Sequence, residues 1–170
     1  IDVPSGQTSE NVAYVAAQLR ALRGFLEQTA GHQIDEGRLV QRGKRGYKTL
    51  QQFDAFQSAR ADRFIPSDLV SPLYSGMTNN ILLGTEEEAL YTEKLLQDVK
   101  KAPPKKGKHI YWMHTIPFWS DAVKDALLLN DDVQIVGCEL SQATDISRHS
   151  EDPYEEMAMR LIYHALNGPI

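Results

Sequence analysis

"KHIYWMHTIPFWSDAVKDALLLNDDVQIVGCEL", Lys108 to Leu140, is where the chain changes character. Its first eight residues form an almost unbroken apolar and aromatic run without alternation, the signature of a strand buried on both faces. "PFWSDAVKDALLLN" follows at helical spacing with Pro117 near its start, an Asn-Asp-Asp turn closes it, and "VQIVGCEL" reads as a second strand. Strand, helix, strand over about 30 residues predicts a right-handed parallel βαβ unit. Ligands of open parallel sheets gather at the carboxyl ends of strands, here His114-Thr115 and Cys138-Glu139-Leu140-Ser141. The turn after the first strand reads "HTIPFW" and lacks a glycine-rich dinucleotide fingerprint, so NAD binding has no support.

Upstream of this unit the pattern is helical. "TSENVAYVAAQLRALRGFLEQTAGHQ" spaces Val12, Ala16, Leu19, Leu22 and Leu26 along one face, with Thr8 or Ser9 as cap and Gly31 as stop. Ile34 and Asp35 begin a second helix whose face carries Leu39, Gly43, Gly46, Leu50 and Phe53. Two interior glycines predict either a close approach by another backbone or ligand, or a break. "IPSDLVSPLYSGMTNNILLG" reads as loop and short turns that could line a pocket. Thr85 with Glu88 then forms a capping box, and Ala89, Leu95, Leu96 and Val99 carry a third helix. "VKKAPPKKGK", with five lysines around two prolines, reads as a solvated linker, a phosphate contact being the other reading. Pro153 to Asn167 is a last helix, expected to cover the sheet.

Composition bounds the rest. With 42% hydrophobic and 24% charged residues, 170 residues are enough for one core and a helical appendage. No apolar run approaches the roughly 20 residues of a membrane helix and the N-terminus has no basic-then-apolar signal pattern, so the segment as given is expected to be soluble, with the cytoplasm as the expected location. A net charge of −5 argues against nucleic acid as a partner. Cys138 is the only cysteine, so the chain cannot close a disulfide on itself, nor supply the several thiolates of a zinc site or iron-sulfur cluster.

The candidate residues lie at the two strand ends. His114 could donate to a ligand oxygen or satisfy a buried carbonyl, and Thr115 follows it. Glu139 is a proton-transfer candidate if its surroundings raise its pKa, and a surface carboxylate otherwise. Ser141 leaves the same strand, and Cys138 before it reads as a small core residue rather than a ligand. Trp112, Phe118 and Trp119 read as core or as an apolar wall for a ligand. His32 and His164 sit near helix ends and read as structural. No Ser-His-Asp spacing, HExxH, P-loop or CxxC occurs.

"IDVPSGQTSENVAYVAAQLRALRGFLEQTAGHQIDEGRL" resembles the 2-hydroxyacyl-CoA dehydratase and benzoyl-CoA reductase family, in which an Asp-Val-Pro segment precedes a long "YVxxQL" helix, "FLE", a glycine stop and an "ID-E-x-L" restart. "EDPYEEMAMRLI" resembles that family's "DP-x-E-x-x-A-x-R" helix, and "NGPI" the short segment after it. The resemblance implies two α/β lobes of related fold and a four-iron four-sulfur cluster held by cysteines from regions before and after this portion. It further implies an acyl-CoA substrate, a related second subunit and an ATP-dependent activator that supplies a low-potential electron. A ketyl radical then permits dehydration, or reduction of an aromatic ring in the reductase branch. With Ile1 in place of a methionine and an abrupt C-terminus, the chain reads as a fragment. The expected fold is α/β, with a helical connecting region over 1–102 and part of a Rossmann-like lobe over 103–170. A non-catalytic α/β module that binds a ligand or a subunit is the alternative reading.

Overall fold

The structure is a computed structural model and describes residues 1–66, 75, 81–113, 117, 119–127, 129–138 and 146–163. Thr8 starts the first helix, its hydroxyl accepting from the Asn11 N–H at 3.2 Å. Helix α1 runs Ser9–Ala30 and stops at Gly31, which takes a left-handed φ of 70° while its N–H bonds to the Glu27 carbonyl. Asp35 starts α2, Glu36–Ala59, by accepting from the Arg38 N–H at 3.0 Å. This helix runs unbroken through Gly43 and Gly46, so the break expected there does not occur. Around Gly43 no atom comes within 4 Å of where a Cβ would stand. Each glycine costs the helix about 1 kcal/mol, which burial of Leu50, Phe53 and Phe56 on the following turns offsets.

Contacts divide the chain into two compact units, Ile1–Tyr47 with Thr144–Ile170, and Lys48–Ala143, the boundary falling inside α2.

In the first unit, Val12, Val15 and Ala16 of α1 pack on Tyr154, Ala158 and Ile162 of the last helix, Pro153–Ile162. Ala16 and Ala158 let the two backbones approach closely. The helices run antiparallel, since Arg20 meets Asp152 at one end and the Tyr163 hydroxyl donates to the Gln7 carbonyl at the other. The buried face of the last helix is taken up by α1. Leu22 and Leu26, expected on the buried face of α1, are exposed, as is Phe25 at 62%. They lie beyond the point where Asp152 begins the partner helix, which leaves them nothing in that helix to pack on.

In the second unit, the end of α2 places Phe53 and Phe56 on Leu95, Leu96 and Val99 of α3, Glu86–Lys101. The lysine-proline stretch after it is pinned by backbone pairing. Phe64 N–H bonds to the Pro103 carbonyl at 2.9 Å and Lys105 N–H to the Asp62 carbonyl at 3.0 Å. Lys106 Nζ sits 4.3 Å above the Phe64 ring and 3.0 Å from Asp131. Strands β1, Lys108–Trp112, and β2, Val133–Cys138, pair in parallel, with α4, Asp121–Leu127, between them in sequence. Register runs from Lys108 opposite Val133 to Trp112 opposite Cys138, with a slip after Ile110. Val123 and Leu127 of α4 pack with Trp112 on Ile135. The sequence predicts the first strand buried on both faces; β1 is only half-buried, with Tyr111 exposed, whereas β2 is mostly buried. Among the described residues β1 has one strand neighbour, and aromatic content does not by itself supply a covering layer. No described helix is long and apolar enough to cross a membrane.

Gly107, at φ 68°, leads the pinned stretch into β1, and a Cβ there would stand 2.4 Å from the Asp132 carbonyl oxygen. Gly107→Ala is therefore expected to cost about 1–3 kcal/mol, read as a lower denaturation midpoint with an unchanged slope.

Candidate functional site

The carboxyl ends of the strands are set by the last pair of the ladder, Trp112 opposite Cys138. Cys138 is buried there as the final residue of β2. Trp112 turns into the small core around Ile135, whereas Trp119 is 67% and Met113 74% exposed. Of the two alternatives for these aromatics, core describes Trp112 and does not describe Trp119. Tyr111 lies across Gly137 of the neighbouring strand, where a Cβ would come within 3.3 Å of the ring. His114, Thr115, Phe118, Glu139, Ser141 and His164 lie outside the described residues. His32 is exposed, with Nδ1 3.2 Å from the Ala30 carbonyl oxygen.

Behind β2 is a buried polar cluster that the sequence reading missed. Gln134 points inward from the strand: its Oε1 accepts from the Ile65 N–H at 2.8 Å, and its Nε2 donates to the carbonyls of Arg63 at 3.2 Å and Arg60 at 3.4 Å. Arg60, just past the end of α2, is buried with its guanidinium donating to the Ile135 carbonyl and to Gln57, over the Phe56 ring. Burial pushes its pKa down to about 10. His109 of β1 is pushed down as well, by burial first and then by Lys105 and Arg60, which keeps the ring neutral. Arg60 Nε and His109 Nε2 are buried without a hydrogen-bond partner among the described residues. The one sequence signal for this cluster is a glutamine inside the otherwise apolar "VQIVGC".

Glu88 on α3, read from the sequence as half of a capping box, is fully buried. Its Oε1 accepts from the Thr92 hydroxyl at 3.3 Å and its Oε2 has no partner among the described residues. Burial raises its pKa, against a smaller opposing effect of the Thr92 hydrogen bond.

In the first unit the chain leading into the last helix, called α5 below, carries an ionic ladder. Asp152 caps α5, accepting from the N–H groups of Tyr154 at 2.8 Å and Glu155 at 3.1 Å. Burial raises the Asp152 carboxyl, but those N–H groups and Arg20 outweigh it and hold the pKa below the usual carboxylate range. Glu156, buried one turn on, accepts from Arg160 at 2.9 Å and from the Ser150 N–H at 3.0 Å, with His149 Nδ1 also at 3.0 Å. The His149 ring stacks on Tyr47 at 4.1 Å, and its Nε2 faces Glu151, which Lys44 holds at 2.8 Å. The Lys44 hydrogen bond keeps the Glu151 pKa low. Between Gly43, Lys44, His149 and Glu156 lies a hollow of about 10 Å³, enough for a single water and far too small for an acyl group.

The chain matches the family model described as 2-hydroxyglutaryl-CoA dehydratase, D-component, over residues 1–168. It belongs to that family. No curated protein matches it. Membership in the D-component family implies, in general terms, an acyl-CoA substrate and a partner activator component. The family is associated with iron-sulfur-dependent dehydratases, and a four-iron cluster takes four thiolates. This chain offers one, buried at the end of β2, and among the described residues no three His, Cys, Asp or Glu side chains converge. Its residues therefore do not fit the cluster. The motif "EDPYEEMAMR", one of those carrying the resemblance, does architectural work in this D-component member: Asp152 caps, Glu156 and Arg160 build the ladder, and Ala158 packs on α1.

Glu88 gives a pH prediction. Its folded pKa lies above its unfolded one, so the native state binds more protons, and stability falls as pH rises from about 4.5 through the raised value. Glu88→Gln is expected to match the wild-type melting temperature near pH 4 and to exceed it at pH 7–8, checked by thermal melts across that range.

Proposed function

We propose that this chain is part of an enzyme that removes water from a 2-hydroxyacyl-CoA, the aromatic acyl-CoA reductase branch being the second possibility within the same chemistry. The observation that carries the reading is the family match across 168 of the 170 residues. Dehydration of such a thioester breaks the C2–O and C3–H bonds, and the thioester does not acidify C3. The family resemblance answers this with an iron-sulfur cluster and a ketyl radical, chemistry that the cofactor supplies. With one thiol in 170 residues, the cluster ligands come from polypeptide outside this sequence, and the chain alone is inactive. By order along the chain, residues 1–102 correspond to a helical connection and 103–170 to part of a Rossmann-like lobe in a two-lobed cytoplasmic protein.

The roles left to this chain are binding and proton handling. His114 and Thr115 after β1, and Cys138, Glu139 and Ser141 at the end of β2, hold the acyl thioester, with His114 donating to its oxygen and Glu139 moving a proton. The parallel pairing of β1 and β2 supports this, because it brings the residues preceding both loops, Trp112 and Cys138, opposite each other. Met113 and Trp119, near them in sequence, are exposed and could supply apolar surface for the acyl group.

The experiment is anaerobic reconstitution of the complete gene product and of this chain side by side, read by iron and sulfide content and by turnover of 2-hydroxyacyl-CoA thioesters. The complete product is expected to take up about four irons and turn over, and the chain to do neither. A complete product that binds no iron would sink the dehydratase reading and leave a ligand-binding or subunit-interaction module.

A further inference from the structure

Thr85 and Glu88 have the spacing of a capping box, and the box is half built. The Thr85 hydroxyl accepts from the Glu88 N–H at 3.2 Å, but the return bond is missing. Thr85's own N–H goes to the Leu82 carbonyl at 2.9 Å, and the Glu88 carboxyl is turned inside onto Thr92, with one oxygen unpartnered among the described residues. The two positions open to this carboxyl suit different ionisation states. A buried carboxylate needs a counter-charge, whereas the capping position offers water, a backbone N–H and the positive end of the helix dipole.

No counter-charge meets Glu88 inside. Among the described residues no lysine, arginine or histidine pairs with it, and Thr92 is its polar contact. On α2, which packs against α3, Lys48 and Asp54 are exposed and Arg60 is committed to Gln57 and Ile135. Glu86 and Glu87 on α3 itself are exposed. We propose that Glu88 is a two-position switch: neutral, it stays inside on Thr92; ionised, it swings out to accept from the Thr85 N–H and releases the Leu82–Thr85 turn. The carboxyl O–H bond breaks, its proton passes to solvent, and Thr85 exchanges one acceptor for another. The turn that lets go begins at Leu82, directly after Ile81, both exposed, so the proton controls how that apolar pair is held.

The test is NMR on the whole chain between pH 4 and 8, following the Glu88 carboxyl carbon and the Thr85 amide in the wild type, Glu88→Gln and Thr92→Val. In the wild type the Thr85 amide is expected to shift with the Glu88 titration, the inside-to-outside ratio changing about tenfold per pH unit across the transition. Glu88→Gln should leave the amide flat, and Thr92→Val, which weakens only the inside position, should move the transition to lower pH. A Glu88 that titrates without moving Thr85, or a Thr85 transition that survives in Glu88→Gln, overturns the switch.

Discussion

The side chain of Gln134 is the constraint on which the second compact unit depends. A glutamine inside a strand is a cost unless each polar atom is answered, and here Oε1 and Nε2 are answered by the backbone of Arg60, Arg63 and Ile65. Those three residues form the turn out of α2. Once the turn is fixed to β2, residues 62–64 are placed to pair with 103–105, which holds the end of α3 and the start of β1. Arg60 adds a second tie to the same strand through the Ile135 carbonyl. Two long-range polar side chains thus connect four elements that apolar packing alone would leave free to slide.

The first unit solves a similar problem with charge. A ten-residue helix is too short to be stable on its own, and α5 is held at its start by the Asp152 cap and along its side by Glu156 and Arg160. His149 and Glu151 extend the ladder back to Tyr47 and Lys44 on α2. The exposed pair of Lys44 and Glu151 contributes little by itself. The buried Glu156 matters more, because its oxygens would be left unanswered if Arg160, His149 and the Ser150 N–H moved away.

Much of this was legible beforehand where the signal is local. Thr8, Gly31, Thr85 and Pro153 mark helix ends because capping chemistry depends on neighbours within four residues. The two strands and the helix between them follow from apolar runs of the right length. Reading failed where the answer lies across the chain. The glycines of α2 suggested a break, since a sequence does not show that Phe53 and Phe56 will anchor the helix from one side. Leu22 and Leu26 carry the same periodicity as Val12 and Ala16, and nothing local says that the partner helix begins opposite Arg20. Of the candidate residues, Cys138 is buried at the end of β2, while Arg60 and Gln134 were passed over and Glu88 was read only as part of a cap, because a polar residue in a helix or strand reads as solvent-facing until its burial is known.

The sequence by itself determined where helices start and stop, which segments are strands, that one thiol is present and which family the chain resembles, because each rests on local chemistry or on order along the chain. Only the tertiary structure decided that α5 packs on α1, that the parallel register of β1 and β2 slips after Ile110, and that Glu88 and Arg60 are buried. Those outcomes depend on which surfaces meet, and surfaces far apart in sequence meet through the sum of many weak contacts that no local pattern records.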